Sequence, residues 1–289
     1  MKVKVFAKVN LTLSVGARQG EFHPIDSVVT SVDVCDTVEV AKRCDNEITV
    51  KGVAGVEQQR NTAYLAAVAF VNTFLGNLSN CPLGVDISVQ KGIPFGAGMG
   101  GSSADAAAVV YCMCKLFDVD VCSDAVHQLC ARLGSDVNYM LHGGLARMQG
   151  KGDDVAFYKA VRPLYFALTT FDLEMRSGEI YCAYDSLPIG QVNESDKLLI
   201  ALQQGALDNA VALLTNDLQR ATASVSDYAK RYLDFIKLHN WHCNMTGSGS
   251  AYYVACATRK QAQGIADTLN DNGFATVVCR SVPNGIVEI

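Results

Sequence analysis

The chain has no apolar run approaching the roughly 18 residues that a membrane-crossing helix needs; the apolar stretch 104–114 is short and interrupted by Asp105. It lacks any basic stretch long enough to follow a nucleic-acid backbone, and its net charge is −5. Neither a membrane nor a nucleic acid is therefore expected as a partner. No Cys-x-x-Cys pair occurs among the 11 cysteines. Their odd number and scatter argue against a disulfide framework, and most are expected as small buried apolar side chains in a reducing compartment. His239-Asn-Trp-His242-Cys243 approaches metal-ligand spacing but has no second ligand cluster to complete a site. There is no internal repeat, low-complexity tract or disordered linker. A motif already begins at Ala7, which leaves no room for a signal or transit peptide, so the expected location is the cytoplasm.

With 289 residues and 49% hydrophobic content, the chain can bury a sizeable core and form two domains. The split is expected at 1–155 and 156–289. Residues 2–15 alternate, with Val3, Val5, Ala7, Val9, Leu11, Leu13 and Val15 on one face, which predicts one long half-buried strand. Lys8 and Asn10 share its other face, roughly 7 Å apart. Strands are predicted near 27–34, 37–42, 47–50 and 164–171. Helices are predicted over 62–75, capped by Asn61, over 123–133, stopping at Gly134, and from Ser135-Asp136 onward.

Residues 94–107 read Pro-Phe-Gly-Ala-Gly-Met-Gly-Gly-Ser-Ser-Ala-Asp-Ala-Ala. Gly96, Gly98, Gly100 and Gly101 can adopt positive φ and let backbone N–H groups converge on one point. The run 104–117 contains neither glycine nor proline and predicts a helix, with Ser102 or Ser103 as its cap. A glycine-rich loop feeding a helix N-terminus suits phosphate. Walker A fails because no lysine follows Gly101, and a protein-kinase loop fails because the chain has no His-Arg-Asp or Asp-Phe-Gly. The dinucleotide fingerprint matches Gly96, Gly98 and Gly101. However, the strand before it, 85–91, alternates where a doubly wound sheet would be continuously apolar, and Pro94 separates strand from loop.

The 94–107 segment resembles the central ATP loop of the GHMP kinases, with Met99, Ser102 and Ala104 replacing a leucine, a glycine and a serine. Ala7-Lys8-Val9-Asn10-Leu11 is similar to the family's Ala-Lys-Ile-Asn-Leu, and 18–28 to its Arg-x-Asp-Gly-Tyr-His-x-Leu-x-Ser-Val. Gly134-Ser-Asp-Val137 with Gly143-Gly144, Asn216-Asp-Leu218 and 245–250 match further signatures in the same order. The resemblance implies an α+β fold with an N-terminal half like ribosomal protein S5 domain 2 and a ferredoxin-like C-terminal half. It implies ATP and Mg2+, and a small-molecule acceptor. The nearest branch phosphorylates the 2-hydroxyl of a cytidine-diphosphate-linked methylerythritol in non-mevalonate isoprenoid synthesis.

The resemblance also implies site residues. Lys8 and Asp136 fall at the catalytic positions, where read locally they are a strand lysine and a helix-start aspartate. Pro94, Gly96, Ala97, Gly98, Met99, Gly100, Gly101, Ser102, Ser103 and Ala104 fall in the ATP loop. Asn10, Phe22, His23 and Tyr181 fall around the cytidine, and Gly247, Ser248 and Gly249 form a second glycine loop. Phe22 stands where the family keeps tyrosine, which retains a stacking face without the hydroxyl. A mevalonate-type or homoserine kinase, a nicotinamide-binding oxidoreductase and a catalytically silent binding module remain as alternatives.

Overall fold

The computed structural model describes residues 1–53, 55–76, 82–171, 175–187 and 193–289. Among them, β1 (Lys2–Asn10), β2 (Thr12–Val15), β3 (Ile25–Lys42), β4 (Ile48–Lys51) and β5 (Val85–Gln90) form the first part of the sheet. β6 (Leu145–Gly150) and β7 (Asp154–Tyr158) make a hairpin on it. β8 (Tyr165–Thr169), β9 (Thr215–Asn216), β10 (Cys243–Met245), β11 (Tyr252–Cys256), β12 (Thr276–Val282) and β13 (Ile286–Glu288) follow. The main path runs β10-β11-β8-β12-β3-β1-β13, so the sheet is continuous from end to end through the β12–β3 pairing.

The 18-residue β3 is its spine, meeting β1, β2, β5, β6 and β12. It merges the two strands predicted at 27–34 and 37–42. The register against β1 shifts between Phe6 and Ala7, whose partners are Cys35 and Val32, and such a bulge bends a strand without ending it. The single strand predicted over 2–15 is instead divided at Leu11. β2 swings away to pair in parallel with β9, and the Leu11 carbonyl accepts from Thr215 N–H at 3.2 Å.

Ten helices are described: α1 (Thr62–Phe70), α2 (Gly101–Leu116), α3 (Asp124–Leu133), α4 (Val137–His142), α5 (Ser177–Asp185), α6 (Ser195–Gln204), α7 (Leu207–Ala212), α8 (Leu218–Val225), α9 (Asp227–Leu238) and α10 (Arg259–Asp271). Asn61 caps α1 by accepting from Ala63 N–H at 2.9 Å, an interaction typically worth about 1 kcal/mol. The predicted helix continues past Phe70 only as a π turn over Val71–Leu75. α2 packs against α1, β1, β3 and α4. Its buried Ala104, Ala106, Ala107 and Ala108 offer little bulk, so neighbouring backbones approach closely.

α2 starts three residues earlier than predicted, and neither Ser102 nor Ser103 caps it. Gly100, at φ +74°, holds the N-cap position without a side chain. Both apolar cores cross position 155. One joins Val3, Val5 and Val9 to Phe166 and Leu198; the other joins Leu13 and Val15 to Ile180, Tyr232 and Tyr252. No described helix is long and apolar enough to cross a membrane.

Candidate active site

Two glycine-rich loops meet at the end of β1. In the first, Gly96, Gly98 and Gly100 have φ of +63°, +72° and +74°. A Cβ on Gly98 would lie 2.2 Å from the Thr246 carbonyl oxygen, and one on Gly100 would lie 2.1 Å from the Met140 methyl. Backbone contact as well as conformation therefore requires glycine at 98, while at 100 the positive φ requires it and the Met140 methyl can yield. The loop's carbonyls turn back into the protein. Met99 O accepts from Lys8 N–H at 3.1 Å, Ala97 O from Ala251 N–H at 3.2 Å, and Gly98 O from Thr246 Oγ1 at 3.0 Å. Among the described residues, no acceptor takes the amide hydrogens of residues 96–103. Those donors, with the positive end of the 16-residue α2, make a concavity suited to phosphate.

This loop borders a cleft of about 500 Å³, together with Lys8, Asn10, His23, Asp136, Tyr181 and the second loop, Gly247-Ser248-Gly249. The volume is ordinary for a small-molecule site. Pro94 and residues 96–103 all border it, whereas Ala104 does not: it is fully buried inside α2.

Lys8 and Asn10, predicted on the non-core face of β1, are only 7% and 5% exposed, because the two loops cover that face. Lys8 Nζ donates to Asn10 Oδ1 at 2.6 Å and lies 3.9 Å from Asp136 Oδ2. Burial pulls the Lys8 ammonium below the ordinary lysine range, and the Asp136 charge partly offsets that pull. Asp136 occupies the N-cap of α4 but makes no side-chain capping bond. Its carboxylate faces Lys8 and the cleft instead.

The Asn10 side chain is largely committed to the protein, with one Nδ2 hydrogen left without a partner among the described residues. Oδ1 also accepts from Gly247 N–H at 2.9 Å and Thr246 Oγ1 at 3.2 Å, and Nδ2 donates to Ser27 Oγ at 2.8 Å. It ties Lys8 to the second glycine loop, which is a positioning arrangement.

At the other end, the His23 and Tyr181 rings stack with centroids 5.3 Å apart. Nδ1 of His23 lies 3.0 Å from Gly16 O and Nε2 lies 3.1 Å from Asp185 Oδ1. Both ring nitrogens are thus engaged by the protein, so an edge bond to a base from that ring requires it to leave Asp185. Phe22 does not border the cleft directly; its ring carries the Lys151 ammonium 4.4 Å from the centroid, and Lys151 borders the cleft.

Lys91, Lys151 and Asp185 escaped the sequence reading. Lys91 borders the cleft while donating to Asp105 at 2.8 Å and to Asp36. Burial and the neighbouring Asp36 charge push the Asp105 carboxyl up to about 7, against the pull of Lys91. The one visible signal for Lys151 was its setting between two glycines.

No group of three or more His, Cys, Asp or Glu among the described residues could hold a metal. His239 and His242 bond the carbonyls of Phe235 and Leu214. All ten described cysteines are free, five of them buried. The dinucleotide alternative does not fit this topology: β5, which precedes the loop, runs antiparallel to β3, not within a doubly wound parallel sheet.

The family model for the GHMP kinases N terminal domain matches residues 61–146. The chain is 31% identical over 264 residues to a 4-diphosphocytidyl-2-C-methyl-D-erythritol kinase of Caldanaerobacter subterraneus subsp. tengcongensis, covering 88% of this chain and 87% of the relative. It is 31% identical over 293 residues to the kinase of the same name from Mycolicibacterium smegmatis, covering 97% and 88%. A crystal structure of 4-(cytidine 5'-diphospho)-2C-methyl-D-erythritol kinase superposes with a TM-score of 0.80 at 24% identity, covering 98% of this chain and all of that one.

Proposed function

The chain belongs to the 4-diphosphocytidyl-2-C-methyl-D-erythritol kinase family of GHMP kinases, and we propose that its cleft transfers the γ-phosphoryl group of ATP to the 2-hydroxyl of that substrate. The observation that carries this reading is the opposition of buried Lys8 and half-buried Asp136, paired with each other, to the amide-lined loop. Phosphoryl transfer needs positioned groups and charge neutralisation more than covalent help from the protein. The loop amides and the α2 N-terminus supply the second.

In the transfer, the acceptor oxygen forms a bond to the γ-phosphorus, and the bond from that phosphorus to the β–γ bridging oxygen breaks. ADP leaves with the electron pair. The hydroxyl proton passes to Asp136, whose carboxylate is the one acid bordering the cleft among the described residues. Lys8, held by Asn10 at 2.6 Å, stabilises charge developing beside it.

Magnesium fits as an ion that arrives with the phosphates. It binds chiefly through substrate phosphate oxygens and water, and the cleft offers the Ser102 and Ser103 hydroxyls beside the phosphate loop. Bound there, it would neutralise phosphate charge. Tyr181 and His23 would hold the cytosine, by stacking and through the backbone beside the histidine ring.

An ATP-consumption assay against 4-diphosphocytidyl-2-C-methyl-D-erythritol, mevalonate and homoserine tests the reading. Turnover with the first and background with the others is expected. Preference for either of the others would transfer the chain to a different GHMP activity.

A further inference from the structure

The proposed acceptor has a base at one end, the reacting hydroxyl at the other and an anionic diphosphate between them. Three ammonium groups border the cleft among the described residues: Lys8, Lys91 and Lys151. Lys8 is committed to Asn10 and Asp136, and Lys91 to Asp36 and Asp105. Lys151 is in no ion pair with a described residue, so its charge remains available in a cleft that must accommodate an anion.

Its backbone setting is well defined. Lys151 stands in the β6–β7 turn between Gly150 and Gly152, whose φ values are +67° and +90°, a shape suited to glycine. Its N–H donates to Asp153 Oδ1 at 3.2 Å, closing the turn. A Cβ on Gly152 would touch Ser135 Cβ and Ile25 Cδ1, each at 3.6 Å. The turn therefore lies directly against the residue before Asp136. From there the lysine extends to Phe22, its ammonium 4.4 Å from the ring centroid, next in sequence to His23.

Lys151 thus spans the interval between Asp136, proposed at the hydroxyl, and the His23–Tyr181 stack, proposed at the base. We propose that Lys151 is the cation that binds the diphosphate bridge of the acceptor, resting on Phe22 until the substrate enters. This assignment rests on the acceptor named above. The shared chemistry is a phosphoanion, and either the acceptor diphosphate or the ATP phosphates could supply it; the position beside Phe22 and Ser135 favours the acceptor.

Lys151→Gln and Lys151→Arg test the assignment, with melting temperature confirming that both variants fold. The measurements are KM for acceptor and for ATP, kcat, and competitive inhibition by CDP and by cytidine. Lys151→Gln should raise the acceptor KM and the CDP inhibition constant by about five- to tenfold, as expected for losing one partly exposed charge-assisted contact. Cytidine inhibition, KM for ATP and kcat should hold, and Lys151→Arg should stay near wild type.

Equal weakening of CDP and cytidine would reduce Lys151 to a packing residue on Phe22 and overturn the assignment. A rise confined to KM for ATP would move the anion to the nucleotide and overturn it as well. If CDP fails to compete even in the wild type, the cytidine reading itself falls, an outcome visible before any variant is compared.

Discussion

Lys8 Nζ lies 3.9 Å from Asp136 Oδ2, across a cleft wall where β1 meets the start of α4, and the same ammonium donates to Asn10 at 2.6 Å. The aspartate sits at a helix N-cap without capping the helix, so its carboxylate is available for chemistry. Asp136→Asn should lower kcat by about 10²–10⁴-fold, the usual range for a positioned proton acceptor, with ATP affinity nearly unchanged. Lys8→Ala should likewise reduce kcat more than it raises either KM. Near-normal turnover in both would return the pair to a structural role.

Asn10 makes the arrangement depend on a residue that need not touch substrate. Asn10→Ala removes the acceptor of Lys8 Nζ and of Gly247 N–H together, so both the lysine and the second loop lose their anchor. A fall in kcat accompanied by a rise in KM for ATP is expected. A change in acceptor KM alone would instead show that its amide binds the acceptor.

Gly98 and Gly100 test the phosphate loop. A valine at either must adopt positive φ and place Cβ about where Thr246 O or Met140 Cε now lies. ATP binding, measured by calorimetry, should be lost. Gly98→Val should also disturb the second loop, because the new Cβ would lie 2.9 Å from the Gly249 carbonyl oxygen. Retention of wild-type ATP affinity would remove the loop from the nucleotide site.

Tyr181 stacks on His23, and Asp185 Oδ1 lies 3.1 Å from Nε2 of that imidazole. Tyr181→Ala should raise the acceptor KM through loss of stacking worth about 1–3 kcal/mol, by analogy with aromatic platforms for nucleic-acid bases. kcat should change little, since the base lies away from the transferred phosphoryl group. An unchanged KM would place the base elsewhere.

Asp105 gives the fold a pH dependence. Its folded-state carboxyl stands at about 7, above its ordinary 3.8, so the native state binds a proton that the unfolded chain releases. That contribution to stability is complete below about pH 4 and is lost as pH rises through 7. Asp105→Asn should therefore melt increasingly above wild type as pH is raised from 5 to 8. A constant difference across that range would show that Asp105 does not titrate there and would remove this pH dependence.

The glycine loop was legible because its constraint is local: positive φ and close backbone approach leave little choice but glycine. The end of β1 was less so. Alternation assigned Lys8 and Asn10 to a face, yet burial of that face depends on loops distant in sequence. Likewise the split at Leu11 reflects β2 pairing with β9, which strand periodicity does not encode. Ser102 and Ser103 resembled caps, but the left-handed Gly100 begins the helix earlier. Lys91 has no local pattern that distinguishes it from a solvated lysine, and Lys151 has only its flanking glycines; the tertiary structure brings both to one cleft.

Product analysis tests the central claim most directly. The protein is incubated with ATP and 4-diphosphocytidyl-2-C-methyl-D-erythritol, and the product is examined by phosphorus NMR. A new phosphomonoester on the 2-hydroxyl, an intact cytidine diphosphate bridge and one ADP per product are expected. ATP hydrolysis without that ester, or phosphorylation at another hydroxyl, would contradict it.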